Sequence, residues 1–269
     1  MIHFTKLHGN GNDFILIDEY NREVIPEAKR STFAVKYCDR RFGIGADGVL
    51  YLGISNKADI RMKIFNEDGS EAEMCGNGIR CIVKYALDKG YIKERARVET
   101  LAGVLSITSR VEEGTWIKVN MGKPEFAREK LPAKGTGEFL KVSLHGYEVS
   151  AVNTGVLHAV IFVDSLDDRL MADAPNIRYD PVFPKGTNVN FARVDSKNEI
   201  TVRTYERGVE GETLSCGTGS VACAVVARRL GKTGDQVKVN TKGGELVITI
   251  KDDAAFMEGR AERVFDGMI

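Results

Sequence analysis

Two cysteines stand out by their surroundings. Cys75 opens the run Cys75-Gly76-Asn77-Gly78, and Cys216 opens Cys216-Gly217-Thr218-Gly219. A cysteine at the mouth of a helix meets exposed backbone N–H groups and the positive end of the helix dipole. Both favour thiolate over thiol and lower a pKa of about 8.5 by up to several units. The same groups form a cradle for an anion such as a carboxylate. Gly76, Gly78, Gly217 and Gly219 let the backbone come close to it. If the two cysteines face one site, a thiolate can take a proton from one face of an α-carbon while a thiol returns one to the other. Such a coupled pair shares its protons as a unit. Two helix ends aimed at one carboxylate would stabilise the charge that grows on its oxygens. A lone buried cysteine is more often a small hydrophobe, and Cys38, Cys81 and Cys223 keep that reading.

The elements that must position these thiols come as a repeat. Residue 216 lies 141 positions after residue 75, and residue 241 lies 141 after residue 100. The second pair heads Thr100-Leu101-Ala102-Gly103-Val104 and Thr241-Lys242-Gly243-Gly244-Glu245. Two matches in one register indicate two copies of one fold, each of roughly 120–140 residues, an ordinary domain size. Phe65-Asn66 precedes Cys75 much as Tyr205-Glu206 precedes Cys216, with one residue inserted in the second copy. Short strands such as Phe14-Ile15-Leu16-Ile17 and Ile200-Thr201-Val202-Arg203-Thr204 lead into each C-G-x-G turn. A helix follows, over about 78–88 in the first copy with an apolar face from Ile79, Ile82, Val83, Ala86 and Leu87. The second, over about 220–230, is apolar nearly all round and stops at Gly231. A helix without a polar face is buried, so strands closing round a central helix are expected in each half. The charged stretch Glu125–Lys141 suits a linker or the first loop of the second half.

Composition excludes several classes. Lys+Arg and Asp+Glu both count 38, so no net field favours nucleic acid or an anionic membrane. The first residues lack the basic-then-apolar pattern of a signal peptide, and no run of about 18 apolar residues suits a membrane span. A cytoplasmic protein is expected. Five cysteines in a reducing compartment argue against a disulfide framework, and their spacing does not fit zinc.

The chain resembles the diaminopimelate epimerase family over nearly its whole length. The resemblance rests on His8-Gly9-Asn10-Gly11-Asn12-Asp13-Phe14, Gly43-Ile44-Gly45-Ala46-Asp47-Gly48 and Phe65-Asn66-Glu67-Asp68-Gly69-Ser70-Glu71-Ala72-Glu73-Met74-Cys75-Gly76-Asn77-Gly78. It continues through Thr187-Asn188-Val189-Asn190-Phe191, Tyr205-Glu206-Arg207-Gly208 and Cys216-Gly217-Thr218-Gly219. It implies interconversion of LL- and meso-diaminopimelate on the route to lysine, with no pyridoxal phosphate and no metal. It implies that Cys75 and Cys216 are the acid/base thiols, assisted by His158 and Glu206. Backbone groups of Gly76, Asn77, Gly217 and Thr218 would hold the reacting carboxylate. Asn12, Asn66, Asn188, Glu206 and Arg207 would read the distal amino acid, where Arg207 offers a bidentate fork. Gly155-Val156-Leu157 stands before His158 where many members carry Gly-Asn-Pro, and Gly48 stands where some carry Gln.

By this resemblance the fold is α+β. It has two pseudo-symmetric halves, each a curled antiparallel or mixed sheet, barrel-like, around a central helix, with the site in the cleft between them. The halves are expected at residues 1–122 and 123–262, with a last strand at about 263–269 returning to the first. A homodimer is expected, with Phe265 as a contact. The rival readings are a proline or hydroxyproline racemase of the same fold and a non-catalytic amino-acid-binding relative. Proline-type enzymes usually carry His at the place of Asn77 and have less need of Arg207. A binding relative would not need both thiols. Phenazine-biosynthesis-like isomerases lack the cysteine pair, and a thiol redox protein would be expected to carry CxxC.

Overall fold

The computed structural model describes residues 1–269. The chain divides into two compact units, Met1–Val119 with Glu258–Ile269, and Asn120–Met257. The first holds β1 (His3–Gly9), β2 (Asn12–Asp18), α1 (Arg30–Cys38), β3 (Gly48–Gly53), β4 (Ile60–Asn66), β5 (Glu71–Ala72), α2 (Gly76–Asp88), β6 (Arg95–Thr100), β7 (Gly103–Val111) and β8 (Thr115–Asn120). The chain continues with β9 (Val142–Leu144), β10 (Tyr147–Asn153), β11 (Leu157–Phe162), α3 (Arg169–Arg178), β12 (Asn188–Ser196), β13 (Glu199–Glu206), β14 (Gly211–Thr213) and α4 (Gly217–Arg229). It ends with β15 (Gln236–Thr241), β16 (Gly244–Lys251), β17 (Ala254–Arg260) and β18 (Glu262–Met268).

The repeat extends to strand pairing. In the first unit β1 and β2 pair antiparallel, β2 and β3 parallel, β3 and β4 antiparallel, β4 and β6 parallel, and β6 and β7 antiparallel. In the second, β10, β11, β12, β13, β15 and β16 follow the same alternation. Even the register agrees, since Ile60 faces Val98 in one unit and Ile200 faces Val239 in the other. Parallel neighbours require a crossover long enough to return the chain, and each such crossover here contains a helix. α1 and α3 join β2 to β3 and β11 to β12, while α2 and α4 join β4 to β6 and β13 to β15.

The crossovers explain why the middle strands are apolar on both faces. β2 reads Phe14-Ile15-Leu16-Ile17, all buried, because α1 covers one side and α2 the other. Ile15 and Ile17 join Phe33, Ala34 and Cys38 of α1 in one cluster. α2 instead packs against β1, β2, β3, β4 and β18. In the second unit Val221, Val225 and Val226 of α4 sit with Val202, Val239, Leu246 and Ile248, while α3 covers the opposite face with Leu170, Ala174 and Ile177. Each buried aliphatic chain contributes about 1.5–3 kcal/mol, so the curled sheet and its central helix hold each other in place.

Both central helices end alike. Gly90 and Gly231 take positive φ (73° and 70°), and the N–H groups of Tyr91 and Lys232 reach back to Ala86 O and Ala227 O. This cap needs a residue at ease in the left-handed region, which is why glycine stands at both places. Glu125–Lys141 is more than a linker. It lies within the second unit, pairs Glu125 with Asn153, and buries Leu131 and Phe139 in the cluster under α3. In the first unit β18 pairs antiparallel with β1. The terminal residues meet there, with Ile2 N–H donating to Ile269 O at 2.7 Å and Ile269 N–H to Ile2 O at 2.9 Å. No helix is long and apolar enough to cross a membrane.

Candidate active site

Each thiol is the residue immediately before a central helix. Cys75 is the N-cap of α2 with an extended backbone, and its Sγ accepts from Gly78 N–H at 3.4 Å. The helix starts at Gly76, two residues earlier than its apolar periodicity indicates, because the cysteine itself supplies the capping atom. Cys216 holds the same place before α4, with its Sγ 3.5 Å from Thr218 Oγ1. A Cβ at Gly78 would lie 3.1 Å from Leu50 Cδ2, and one at Gly219 would collide with Asn190 Oδ1. The second glycine of each C-G-x-G is therefore fixed by close packing under the cap.

In the first unit the thiol sits in a polar chain. Cys75 Sγ lies 3.6 Å from Asn12 Oδ1, which also accepts from Asn77 Nδ2 at 3.2 Å. Asn12 Nδ2 donates to Asp47 Oδ2 at 2.6 Å, which orients the amide oxygen toward the cysteine. Behind it Lys6, Asp13, Arg40 and Asp47 form an ion network, with Lys6–Asp13 at 2.7 Å and Arg40–Asp47 at 2.6 Å. Burial alone would raise the Asp13 pKa, but the hydrogen bonds from Arg40 and Lys6 outweigh it and hold the carboxyl at about 2. Asn66, at the end of β4, donates to Ser70 Oγ of its own turn at 2.9 Å.

In the second unit a buried relay stands behind the thiol. Asn190 Nδ2 donates to Ala159 O at 3.0 Å and to His158 Nδ1 at 3.1 Å. With Nδ1 accepting, His158 carries its proton on Nε2 and donates it to Thr218 Oγ1 at 2.9 Å. Thr204 Oγ1 closes the set by donating to Asn190 Oδ1 at 3.0 Å. His158 is fully buried, and burial pushes its pKa down to about 3, with Arg207 contributing in the same direction. It is thus a neutral donor to Thr218, one residue removed from the sulfur. Leu157, the non-proline before it, is buried at the start of β11, and its carbonyl accepts from Asn188 Nδ2 at 3.0 Å. That anchoring holds the histidine's strand without a proline.

Asn188 uses its other amide atom on Arg207, whose N–H donates to it at 2.8 Å. Arg207 Nη1 reaches Lys185 O at 3.2 Å, and Glu206 Oε2 accepts from Thr213 Oγ1 at 3.0 Å. Asn12, Asn77 and Cys75 thus come together in one unit, and His158, Thr218 and Cys216 in the other. Phe265 on β18 is half-exposed and packs edge-on against Phe4 at 5.9 Å between ring centroids.

Sequence reasoning gave no role to Asn190, Asp47 or Arg80. Asn190 was within reach of a period-two reading, since it shares a strand face with Asn188. Asn10 takes the positive φ (54°) of a turn residue, and its side chain also accepts from Arg80 Nη2 at 2.6 Å. Arg80 carried a signal of its own, a charge in the middle of an apolar helical stretch.

The diaminopimelate epimerase family model matches residues 4–127 and 150–264. Diaminopimelate epimerase of Methanocella arvoryzae is 60% identical over 272 residues, covering 100% of this chain and 96% of the relative. That of Archaeoglobus fulgidus is 56% identical over 270 residues with the same coverage. Among solved structures, a Bacillus anthracis phenazine biosynthesis protein of the PhzF family superposes with a TM-score of 0.72 at 20% identity, covering 100% and 99% of the two chains. A probable proline racemase from Agrobacterium radiobacter gives 0.72 at 16% identity, covering 100% and 93%. At these identities the structures establish the shared α+β fold alone. The match of the family model and the identity to full-length relatives go further: the chain belongs to the diaminopimelate epimerase family and is an isomerase.

Proposed function

We propose that this enzyme interconverts LL- and meso-2,6-diaminopimelate in lysine biosynthesis by a two-thiol mechanism with Cys75 and Cys216 as acid and base. The observation that carries the reading is the pair of cysteine N-caps at equivalent positions of a duplicated fold. In the reaction a thiolate takes the α-proton, forming S–H as C–H breaks, and the electron pair moves onto the substrate carboxylate. First-turn N–H groups of α2 and α4 point out of the helices, and those around Gly76-Asn77 and Gly217-Thr218 receive that charge. The second thiol then gives its proton to the opposite face, leaving the thiolate on the other cysteine.

No separate cofactor or metal has a step in this scheme. His158 holds Thr218, and through it the Cys216 sulfur. Glu206 and Arg207 supply the anion and the fork that a distal ammonium and carboxylate need, with Asn12, Asn66 and Asn188 as polar neighbours. The enzyme is read as cytoplasmic and homodimeric, with Phe265 at the contact between copies.

The test is incubation with LL-diaminopimelate in D2O, following meso product and deuterium at Cα, beside Cys75→Ser, Cys216→Ser and L-proline as a second substrate. Meso product carrying solvent deuterium, absent with either serine variant, is expected. Turnover of proline alone would move the enzyme to the racemase reading. No exchange on either substrate would end the catalytic one.

A further inference from the structure

α2 and α4 occupy equivalent places, so their first turns can be compared residue by residue. Gly76 matches Gly217, Asn77 matches Thr218 and Gly78 matches Gly219, but Arg80 matches Val221. Val221 is an ordinary member of the apolar core. Arg80 is fully buried in the other unit, with its guanidinium held by oxygens of the turns around the thiol. Nη1 donates to Gly76 O at 3.1 Å, and Nη2 donates to Asn77 Oδ1 at 2.9 Å and to Asn10 Oδ1 at 2.6 Å. Nε donates to Arg260 O at 3.2 Å. The fork therefore straps the two residues that follow Cys75. Asn77 passes the constraint on, because its Nδ2 holds the Asn12 oxygen beside the sulfur. A Cβ on Gly9 would lie 3.0 Å from Nη2, so β1 leaves just enough room for the guanidinium.

We propose that Arg80 is a positioning residue that makes Cys75 the thiolate of the resting pair, with Cys216 starting as the thiol. This rests on the two-thiol reading and adds an order to it. A buried cation favours the ionised form of a nearby thiol, and Arg80, bonded to the carbonyl of the residue next to Cys75, interacts with its charge. Burial lowers the Arg80 pKa to about 10, which leaves it charged at neutral pH, and negative charge at Cys81 and Cys75 acts to raise it again. The ion network behind Asn12 holds Lys6, Asp13, Arg40 and Asp47, two cations against two carboxylates, and Glu73, two residues before the thiol, is exposed to solvent. Cys81, buried on the same helix, has its pKa raised by burial and stays a thiol. Asn12 Oδ1 favours S–H on Cys75, but a thiol is a weak donor, and Gly78 N–H favours the thiolate. The full charge decides.

Around Cys216 the groups are different. Thr218 and the neutral His158 stand behind it, Cys223 is a buried thiol on the same helix, and β13, which packs against that helix, ends in Glu206 with Arg207 next, one charge of each sign. Both cysteines share the helix end, so the dipole does not distinguish them. Arg80 against Val221 does.

The test reads thiol ionisation directly, without substrate. Native protein is alkylated with iodoacetamide from pH 5 to 10, and modification of Cys75 and Cys216 is followed separately by peptide mass spectrometry. The midpoint for Cys75 is expected about one unit or more below that for Cys216. Arg80→Met should raise the Cys75 midpoint by about one unit, roughly tenfold less reaction near neutral pH, and leave Cys216 unmoved. Arg80→Lys should restore most of it, since a structural role of the fork alone would not be rescued by a charge. Equal midpoints in the native protein, or a lower one at Cys216, would overturn the proposal even if Arg80→Met did not fold. So would an unmoved Cys75 in a folded Arg80→Met. Loss of epimerisation in the D2O assay would count against the two-thiol reading and leave these midpoints readable.

Discussion

The relay behind Cys216 ties stability to pH with a sign and size that can be worked out. His158 is held neutral by burial, with a pKa of about 3 against an ordinary 6.5. Between those values the unfolded chain binds a proton that the folded chain refuses, so stability rises with pH across the window. The contribution is present above pH 6.5 and is lost as pH falls toward 3. Each pH unit inside the window is worth about 1.4 kcal/mol, and titration of this one group from pH 7 to 4.5 removes about 2.5 kcal/mol. The perturbation is His158→Gln, whose amide can accept from Asn190 and donate to Thr218 but cannot titrate. Urea denaturation followed by far-ultraviolet circular dichroism at the two pH values gives four free energies. All other groups are common to both proteins and cancel in the difference. The native protein should lose about 2.5 kcal/mol more than the variant between pH 7 and 4.5. Equal losses would refute the reasoning, because His158 would then be protonated at no cost in the fold.

Other perturbations test separate contacts. Gly219→Ala drives a methyl into Asn190 Oδ1, whereas at Gly78 the nearest atom is the flexible end of Leu50 at 3.1 Å, with Cys75 Cβ at 3.4 Å. Activity should fall more than tenfold in the first, with about 2–3 kcal/mol of stability lost, and stability by about 1 kcal/mol in the second, measured by isotope exchange and urea melts. Glu19→Gln removes the closest partner of buried Arg30, at 2.6 Å, and leaves it the exposed carboxylates of Glu23 and Glu27 at 3.8 and 3.7 Å. Chemical denaturation at pH 7 should show a loss of about 2 kcal/mol. Arg207→Lys keeps the charge and removes the fork, and KM for diaminopimelate should rise about tenfold with kcat little changed. Phe265→Glu should shift sedimentation toward the monomer, and an unchanged value would remove β18 from the contact between copies.

Much of this was legible because the chain says it twice. The C-G-x-G pairs, their equal offset and the glycines after each helix mark α2 and α4 in the sequence itself. The helices begin earlier than their apolar periodicity because a capping cysteine adds a first turn of glycines that periodicity does not count. α1 and α3 escaped that reading for different reasons. α1 buries Arg30 against Glu19, which blurs its apolar face, and α3 contains Pro175. The stretch from Glu125 to Lys141 looked like a linker because its charged residues outnumber the two, Leu131 and Phe139, that anchor it. In the candidate site the thiols were readable from one-dimensional spacing. Asn190, Thr218 and Arg80 each also bond a segment far apart in sequence, to His158, His158 and Asn10, and spacing does not name those partners.

β18, the strand that completes the first unit, is made only after the whole of the second unit. During synthesis, residues 120–257 emerge as one unbroken run that holds all the partners of α4, while β1 waits for β18 with an edge open to other chains. The half of the molecule begun first is therefore the half finished last, and it is the one exposed to mispairing on the ribosome. The hydrogen-bonded ends offer a remedy. A short linker from Ile269 to Met1, with new termini opened in the exposed Asp252–Asp253 turn before β17, would make β18 and β1 neighbours in sequence and draw the first unit into one run. Such a rearranged chain should refold faster and aggregate less than the native order, with the same thiols at the same two helix ends.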